Sequence, residues 1–390
     1  MNRQRRELEA LEPMILAPYA VRAGQSRGRL HPEAESETRT AFQRDRDRVL
    51  HTTAFRRLEG KTQVFLSTSG DHYRNRLTHT LEVAQVARNI ARALGLNEDL
   101  TETISLAHDL GHSPFGHTGE DVLERLMRAR TDSGFEHNRQ TYRVVTLLEK
   151  RYADWDGLNL SWETLEGLVK HEREPDLMGA GPPEVALFEP DWRPSLEASI
   201  ADTADSIAYS AHDLDDGIRS GLVRASDLEP VRLWRRLTAQ LGLNPRRVSE
   251  FERRVLIREM LGEIINDVIM MTAAQLERLK IRSLEDVRNA HEPLVMQSPG
   301  LNEERRELKA FLFEHLYRHP QVMVQRQNVE QILEALFTRF LEQPASLPES
   351  VQARFERVGL ERAVCDYLAG MTDNYAFTEH ARLFYSARSS

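Results

Sequence analysis

The sequence predicts an all-α protein, and three observations carry that expectation. Apolar residues recur at helical spacing through most of the chain, and no run of alternating β-branched residues lasts long enough to build a sheet. Glycines and capping residues fall where those patterns would start and stop. Long amphipathic stretches fill the C-terminal half near 249–279, 303–318, 327–342 and 349–370. In chain order, the first clear helix covers 78–94, with Leu81, Ala84, Ala87, Ile90, Ala91 and Leu94 on one face and Gly95 as its stop. Asn97 caps the next helix, Glu98 and Asp99 suit its positive end, and Gly111 is its expected exit. A third helix lies near 198–214, where Ile200, Ala204, Ile207, Ala208, Ala211 and Leu214 form the apolar stripe. Between the helices, 24–37 reads as a mobile arm or loop, and the proline- and glycine-containing stretches 179–195 and 286–302 read as connections.

Composition narrows the function classes. With 29% charged and 40% hydrophobic residues the chain is neither fibrous nor wholly disordered. Its 390 residues suggest two or three domains, or one large helical one, at about 150 residues per domain. Lysine and arginine number 52 against 61 acidic residues, so 52 − 61 = −9, a balance that does not advertise nucleic-acid binding. One cysteine, Cys365, excludes an intramolecular disulfide and a cysteine-based zinc cluster, and fits a reducing cytoplasm. The longest apolar candidate, 255–271, is cut by Arg258, Glu259, Glu263 and Asp267, and the N-terminal piece 14–21 is short and contains Pro18. A cytoplasmic protein with no membrane partner is the expectation. The run Arg44-Asp45-Arg46-Asp47-Arg48 alternates in charge and reads as a salt-bridged helix entry.

The densest chemistry is His108-Asp109-Leu110-Gly111-His112-Ser113-Pro114-Phe115-Gly116-His117. His108 and Asp109 are expected near the end of an apolar helix, where an unpaired charge is costly unless a metal or partner meets it. One reading is a zinc-protease helix with histidines at i and i+4. Against it, the intervening acid is the shorter Asp, and Gly111 and Pro114 end the helix that such a motif continues. The other reading adds His79 upstream and a carboxylate from the 198–214 helix, giving His79, His108, Asp109 and Asp205. Two imidazoles and two carboxylates leave positions open on an octahedral ion, a catalytic rather than a structural arrangement. Mixed nitrogen and oxygen ligation suits Mn, Fe, Co or Mg. A P-loop around Lys61-Thr62 fails, because position 55 is Phe55 where that motif needs glycine.

This ligand pattern resembles the HD-domain metal phosphohydrolases. Phe55-Arg56-Arg57-Leu58, Lys61-Thr62-Gln63-Val64-Phe65, the 108–117 segment, Asp205-Ser206-Ile207-Ala208-Tyr209-Ser210-Ala211-His212-Asp213, Leu316-Tyr317-Arg318-His319-Pro320 and the segment Asp366 to Asp373 together resemble the deoxyguanosine triphosphate triphosphohydrolases. The likeness spans most of the chain. It implies an HD-domain helical core over 46–230 behind an N-terminal arm at 1–45, with helices of 231–390 completing a nucleotide pocket. It implies a metal-dependent dNTP triphosphohydrolase that releases the deoxynucleoside and tripolyphosphate, with Mn2+ or Mg2+ (Fe2+ or Co2+ also admitted) as cofactor.

The resemblance also assigns roles. Asp205 rather than Asp202 becomes the metal ligand, because Tyr209 and Asp213 follow it at family spacing. His117 is the proton shuttle, with Glu120 one turn later to orient its ring. Arg76, His112 and His137 contact phosphates, and Asp213 accepts the 3′ hydroxyl. Tyr209 and Tyr317 wall the sugar, and Gln63 lies near sugar or base. A homo-oligomer is expected as in other members; some members also use a dNTP activator or bind single-stranded DNA, and the charge pattern here establishes neither. The rival readings are another HD phosphohydrolase, such as a nucleotidase or guanosine tetraphosphate hydrolase, and a non-catalytic nucleotide sensor or nucleic-acid-binding module.

Overall fold

The computed structural model describes residues 4–63, 74–170 and 187–385. Among them there is no β-strand; three isolated bridges, Arg29–Ser161, Thr62–Asn75 and Lys150–Gly157, are the extended pairing they make. The fold is all-α. No helix among the described residues is long and apolar enough to cross a membrane. The chain divides into two compact units that alternate along it: Met1–Leu50, His79–Ala107 and Leu158–His319 form one, and His51–Thr78, His108–Gly157 and Pro320–Ser390 form the other.

The first unit is organised by the helix Leu196–Arg219. Ser195 Oγ accepts the Ala198 N–H at 3.2 Å and so caps its start. Ile200, Ala204, Ile207, Ala208, Ala211 and Leu214 are all buried, as their spacing predicts, and each larger member contributes about 1.5–3 kcal/mol on leaving water. Glu98–Ala107 and Glu250–Arg278 pack against this helix, and Ala41–Leu50 packs on Glu98–Ala107. The alternating charges of 44–48 lie inside Ala41–Leu50 rather than at its entry, and they are ion-paired: Arg46 meets Asp99 and Glu102 at 2.8 Å, and Arg48 meets Glu33 at 2.5 Å. Asp45 is fully buried, paired with Arg29, and accepts from Ser161 N–H, Ser161 Oγ and Thr164 Oγ1 at 2.6–2.8 Å. Residues 24–37 are irregular apart from the turn Ala23–Gln25, but the arm is anchored rather than loose. Arg29 holds Asp45, and the His31 N–H reaches Asn159 Oδ1 at 3.0 Å.

The second unit is built around Pro320–Glu342, which packs against Gly116–Arg128, Leu360–Ala369 and Asp373–Phe384. Leu333, Leu336, Phe337 and Phe340 meet Val122, Leu123, Met127, Val364 and Leu368 in its core. Cys365 is buried there, and burial pushes its thiol up to about 12, so it is an inert core residue.

Several expected boundaries are corrected. The helix expected to exit at Gly111 ends at Ala107, so His108 and Asp109 stand in the turn beyond it and not on the helix. Thr141 explains the stop: its Oγ1 donates to the His108 carbonyl at 2.8 Å and accepts the Gly111 N–H at 2.9 Å, the groups a continuing helix would use. The 349–370 pattern is broken into Glu349–Gln352, Phe355–Val358 and Leu360–Ala369, with Gly359 at φ +83° between the last two. The 303–318 pattern is a helix from Pro299 to Leu312 that passes into a π-helical turn, Phe313–Tyr317. Within the connection 179–195, residues 179–186 lie outside the described residues, and Pro190 and Pro194 sit in irregular chain. The connection 286–302 contains the end of the short helix Leu284–Arg288 and the start of the one at Pro299.

Removing the Asp45 carboxylate leaves Arg29 without its buried partner and strips the acceptor from three donors. Asp45→Ala should therefore lower the unfolding free energy by about 3–5 kcal/mol. Gly262, inside Glu250–Arg278 with nothing within 4 Å of an added Cβ, is the contrasting case. Gly262→Ala should raise it by about 0.5–1 kcal/mol. Denaturant titration of both variants measures these shifts.

Candidate active site

In the first unit, His79 and Asp205 project from different helices and meet, Nε2 to Oδ1, at 2.9 Å. His79 is almost fully buried, whereas the Asp205 side chain keeps 41% of its surface. The polar face of Leu196–Arg219 continues through Tyr209 to Asp213. Tyr209 stacks on Tyr317, with ring centroids 6.0 Å apart and planes inclined by 27°, and the Tyr317 hydroxyl donates to Asp213 Oδ2. Burial raises the Asp213 carboxyl to about 7; the Tyr317 hydrogen bond and the nearby His79 oppose the rise, and the charges of Asp216 and Asp205 add to it. The polar stripe that the sequence puts on this helix is thus a carboxylate-and-phenol surface.

In the second unit, His108 Nε2 and Asp109 Oδ1 lie 3.2 Å apart. Arg76 opens the helix Arg76–Ala93, which carries His79 one turn later, and its Nη1 donates to Asp109 Oδ2 at 2.9 Å. Both partners of that ion pair are almost wholly buried. Arg76 Nε and Nη2 are buried and have no hydrogen-bond acceptor among the described residues. A buried guanidinium with spare donors suits an anionic ligand. Gln63 is buried with its Oε1 likewise unpartnered among the described residues. The neighbouring Val64 and Phe65 of the same motif lie outside them.

Beyond Asp109 the chain turns sharply so that several imidazoles gather. The His112 and His137 rings are 3.9 Å apart between centroids, and those of His112 and His117 are 6.2 Å apart. Donor atoms of His112, Glu120 and His137 lie within 4.8 Å of one another. Gly111 is required here, since an added Cβ would fall 2.1 Å from Thr141 N and 2.2 Å from the His137 carbonyl oxygen. Phe115 (φ +65°) and Gly116 (φ +59°) are both left-handed where the helix Gly116–Arg128 begins. For Phe115 this conformation costs about 1–3 kcal/mol.

Electrostatics separates these histidines. Burial holds His112 well below its usual pKa, and Arg76 and the neighbouring imidazoles add to the effect. His117 is exposed by surface area yet crowded by protein on most sides; desolvation, and then Arg76, lower it against the pull of Glu120. His137 is the opposite case. Burial works to lower it, but Glu120 outweighs this by accepting from both its backbone N–H and its Nδ1 at 2.9 Å. Glu120, expected to orient His117, therefore bonds directly to His137 and acts on His117 through its charge.

Several residues of these surroundings carry no sequence signal of their own. Lys61 is buried, its Nζ donates to the carbonyls of His112 and Ala369 (3.0 Å for the latter), and burial lowers it to about 7. Arg305 is a buried cation bonded to the Ser206 carbonyl at 2.9 Å, next in sequence to Asp205. Asp373 accepts from Thr62 and from the backbone of Phe115. It ends the segment Asp366 to Asp373 that resembles the family, but spacing alone gives it no chemistry.

Each pair, taken by itself, offers donors that suit a divalent ion. An imidazole nitrogen and a carboxylate oxygen 2.9–3.2 Å apart, as in His79–Asp205 and His108–Asp109, match the edge between two ligands that each sit at roughly 2.1 Å from a metal. The zinc-protease alternative loses its basis, because 108–112 is a turn and presents no helical i, i+4 pair.

The Glu120–His137 pair sets a pH dependence. The Glu120 carboxyl is lowered from 4.5: burial alone would raise it, and the hydrogen bond from His137 reverses that. Its contribution to stability is present above 4.5 and is lost as pH falls through the folded value. His137 is raised from 6.5, so its contribution is complete below 6.5 and is lost as pH rises through the folded value. Urea midpoints of wild type and Glu120→Gln should accordingly differ most between about pH 4.5 and 6.5 and converge above that window.

Two family models match the chain: the HD domain over residues 76–210 and a phosphohydrolase-associated domain over residues 295–382. HD domains are as a rule dependent on divalent metal, in agreement with the histidine and aspartate donors described above. The chain is 48% identical over 382 residues to a deoxyguanosinetriphosphate triphosphohydrolase-like protein of Geobacter sulfurreducens, with 97% of each chain covered. It is 51% identical over 381 residues to one of Deinococcus radiodurans, covering 97% of this chain and 99% of that one. A Brucella suis relative of the same description is 48% identical, covering 94% and 95%. Identity at this level over nearly the whole length means that the chain belongs to the deoxyguanosinetriphosphate triphosphohydrolase-like proteins, a family of HD-domain phosphohydrolases.

Proposed function

We propose that the protein is a metal-dependent dNTP triphosphohydrolase that converts deoxynucleoside triphosphates, dGTP among them, to deoxynucleoside and tripolyphosphate. The observation that carries this reading is the pairing of each candidate imidazole ligand with a carboxylate at ligand-edge distance, next to a buried arginine with spare donors. In this proposal His79, His108, Asp109 and Asp205 together hold one divalent ion, Mn2+ or Mg2+ with Fe2+ or Co2+ as further candidates. When bound, that ion supplies a Lewis acid for the α-phosphoryl oxygen.

The chain's own groups do the rest. Arg76 offers Nε and Nη2 to the triphosphate, and His137, whose protonated form Glu120 favours, lies beside it as a further donor. His112, held neutral, donates a hydrogen bond without a charge to desolvate. The oxygen of a water joins the α-phosphorus, the bond to the 5′ oxygen breaks, and the three phosphoryl groups leave together. His117, lowered so that it is neutral near pH 7, is the proton shuttle: it takes up the proton that the attacking water loses and passes it to the departing 5′ oxygen. The Tyr209–Tyr317 stack walls the sugar, so that a ribose 2′ hydroxyl would be left buried and unpaired. Asp213 accepts the 3′ hydroxyl, and Gln63 lies near sugar or base. Within the same proposal residues 46–230 are the HD core, 231–390 complete the pocket, and the protein is a cytoplasmic homo-oligomer.

Purified protein given each dNTP alone and in pairs, with Mn2+ or Mg2+, should yield tripolyphosphate on ion chromatography. Release of orthophosphate or pyrophosphate would instead indicate a different HD phosphohydrolase, and no turnover a nucleotide sensor. Asp205→Ala should lose its metal by elemental analysis. His117→Ala should keep the metal and lose about 10²–10⁴ in kcat. Metal retained by Asp205→Ala would mean that another carboxylate, Asp202 first among them, holds the ion.

A further inference from the structure

The turn that carries His112 and His117 is gripped from outside by one residue of the C-terminal region. Asp373 is fully buried at the start of the helix Asp373–Phe384. Its Oδ1 accepts the Phe115 N–H at 2.8 Å, and its Oδ2 accepts the Thr62 hydroxyl at 2.5 Å. One turn further along the same helix, the Phe377 ring meets the Phe115 ring edge-on at 5.1 Å. Phe115 is therefore held at both backbone and side chain by a single helix. It is also the residue in the left-handed conformation, directly before Gly116 and His117. Thr62 is the immediate neighbour of Gln63, so the same carboxylate ties together two segments that bear proposed substrate contacts.

We propose that Asp373 is a positioning residue for hydrolysis, acting through the Phe115 N–H and the Thr62 hydroxyl to set the direction in which the His117 ring enters the site. A left-handed non-glycine residue persists where its surroundings over-determine it. Here the carboxylate and the Phe377 ring supply that constraint. Without the carboxylate the Phe115 N–H loses its acceptor, the turn relaxes toward an ordinary conformation, and the ring two residues on swings with it. A displacement of about 1 Å at a catalytic group is enough to cost up to 10²-fold in rate.

The kinetic part of the test rests on the hydrolysis proposed above; the spectroscopic part does not. In Asp373→Ala, kcat for the best dNTP should fall at least about tenfold, with KM within about twofold of wild type and metal content unchanged. Asp373→Asn should recover most of the loss, because its Oδ1 still accepts from Phe115 and its Nδ2 donates to the Thr62 oxygen. Val364→Ala is the control. It truncates the same unit's core and should leave kcat unchanged at a temperature where every variant is folded. Histidine-selective 15N NMR of the Mg2+-supplemented protein should show the His117 titration moving up toward 6.5 in Asp373→Ala and staying in place in Val364→Ala.

If Asp373→Ala does not fold, Phe377→Leu serves in its place, with a loss of a few-fold in kcat and a smaller shift of His117 in the same direction. Wild-type kcat in Asp373→Ala, an equal loss in Val364→Ala, or an unmoved His117 titration would overturn the inference. Should the wild type turn over no dNTP at all, the functional reading fails, and the His117 titration by itself decides the role of Asp373.

Discussion

Arg76 and Asp109 stand almost completely out of water, 2.9 Å apart. Desolvating two such charges costs several kcal/mol apiece, and a pair of apolar residues of similar volume would often serve stability as well or better. What the pair secures is placement. Arg76 is the first residue of the helix that carries His79, and Asp109 opens the turn that carries His112 and His117. The carboxylate also meets His112 Nδ1 and His108 Nε2, each at 3.2 Å. A single buried ion pair thus fixes the start of one helix and the root of the histidine turn, and leaves two guanidinium nitrogens for an anion.

Around that pair the turn 108–117 is specified by backbone chemistry more than by side-chain bulk. Thr141 closes off the preceding helix, Gly111 admits the Thr141 and His137 backbones where no Cβ would fit, and Lys61 binds the His112 carbonyl. Burial and the charge of Glu120 then push the imidazoles in two directions. His112 and His117 are shifted toward the neutral form, while Glu120 shifts His137 toward the protonated one. For the hydrolysis proposed above such a division is useful, since a group that favours the protonated form and one that favours the neutral form can serve the phosphates and the proton transfer separately.

Much of this was legible in the sequence where periodicity speaks. The stripe from Ile200 to Leu214 and the long helix near 249–279 follow from the 3.6-residue repeat. His79, His108, Asp109 and Asp205 could be singled out by residue type and spacing, and the structure places His79 beside Asp205 and His108 beside Asp109. The helix end at Ala107 was not visible, because the hydroxyl that stops it belongs to Thr141, 33 residues beyond the His108 whose carbonyl it binds. Nor was the Glu120–His137 bond, which forms across 17 residues while the local i, i+3 pattern pointed to His117. The break of 349–370 turns on Gly359, which an amphipathic pattern tolerates until its backbone is seen at φ +83°. Local rules recover elements; contacts made at a distance along the chain decide where those elements end and which charges pair.

The alternation of the two units along the polypeptide has a consequence for synthesis. Phe115, Val122, Leu123 and Phe135 share a core with Val329, Phe337, Leu368 and Ala376. A ribosome that has translated the whole histidine turn has therefore not yet made the apolar wall on which it rests. Nascent chains must hold those side chains exposed until the last helices emerge, a state in which uncovered hydrophobic surface invites chaperones and aggregation alike. Premature termination before Asp373 would yield a polypeptide that contains the metal-ligand candidates and the histidines but lacks the scaffold that gives their turn its shape.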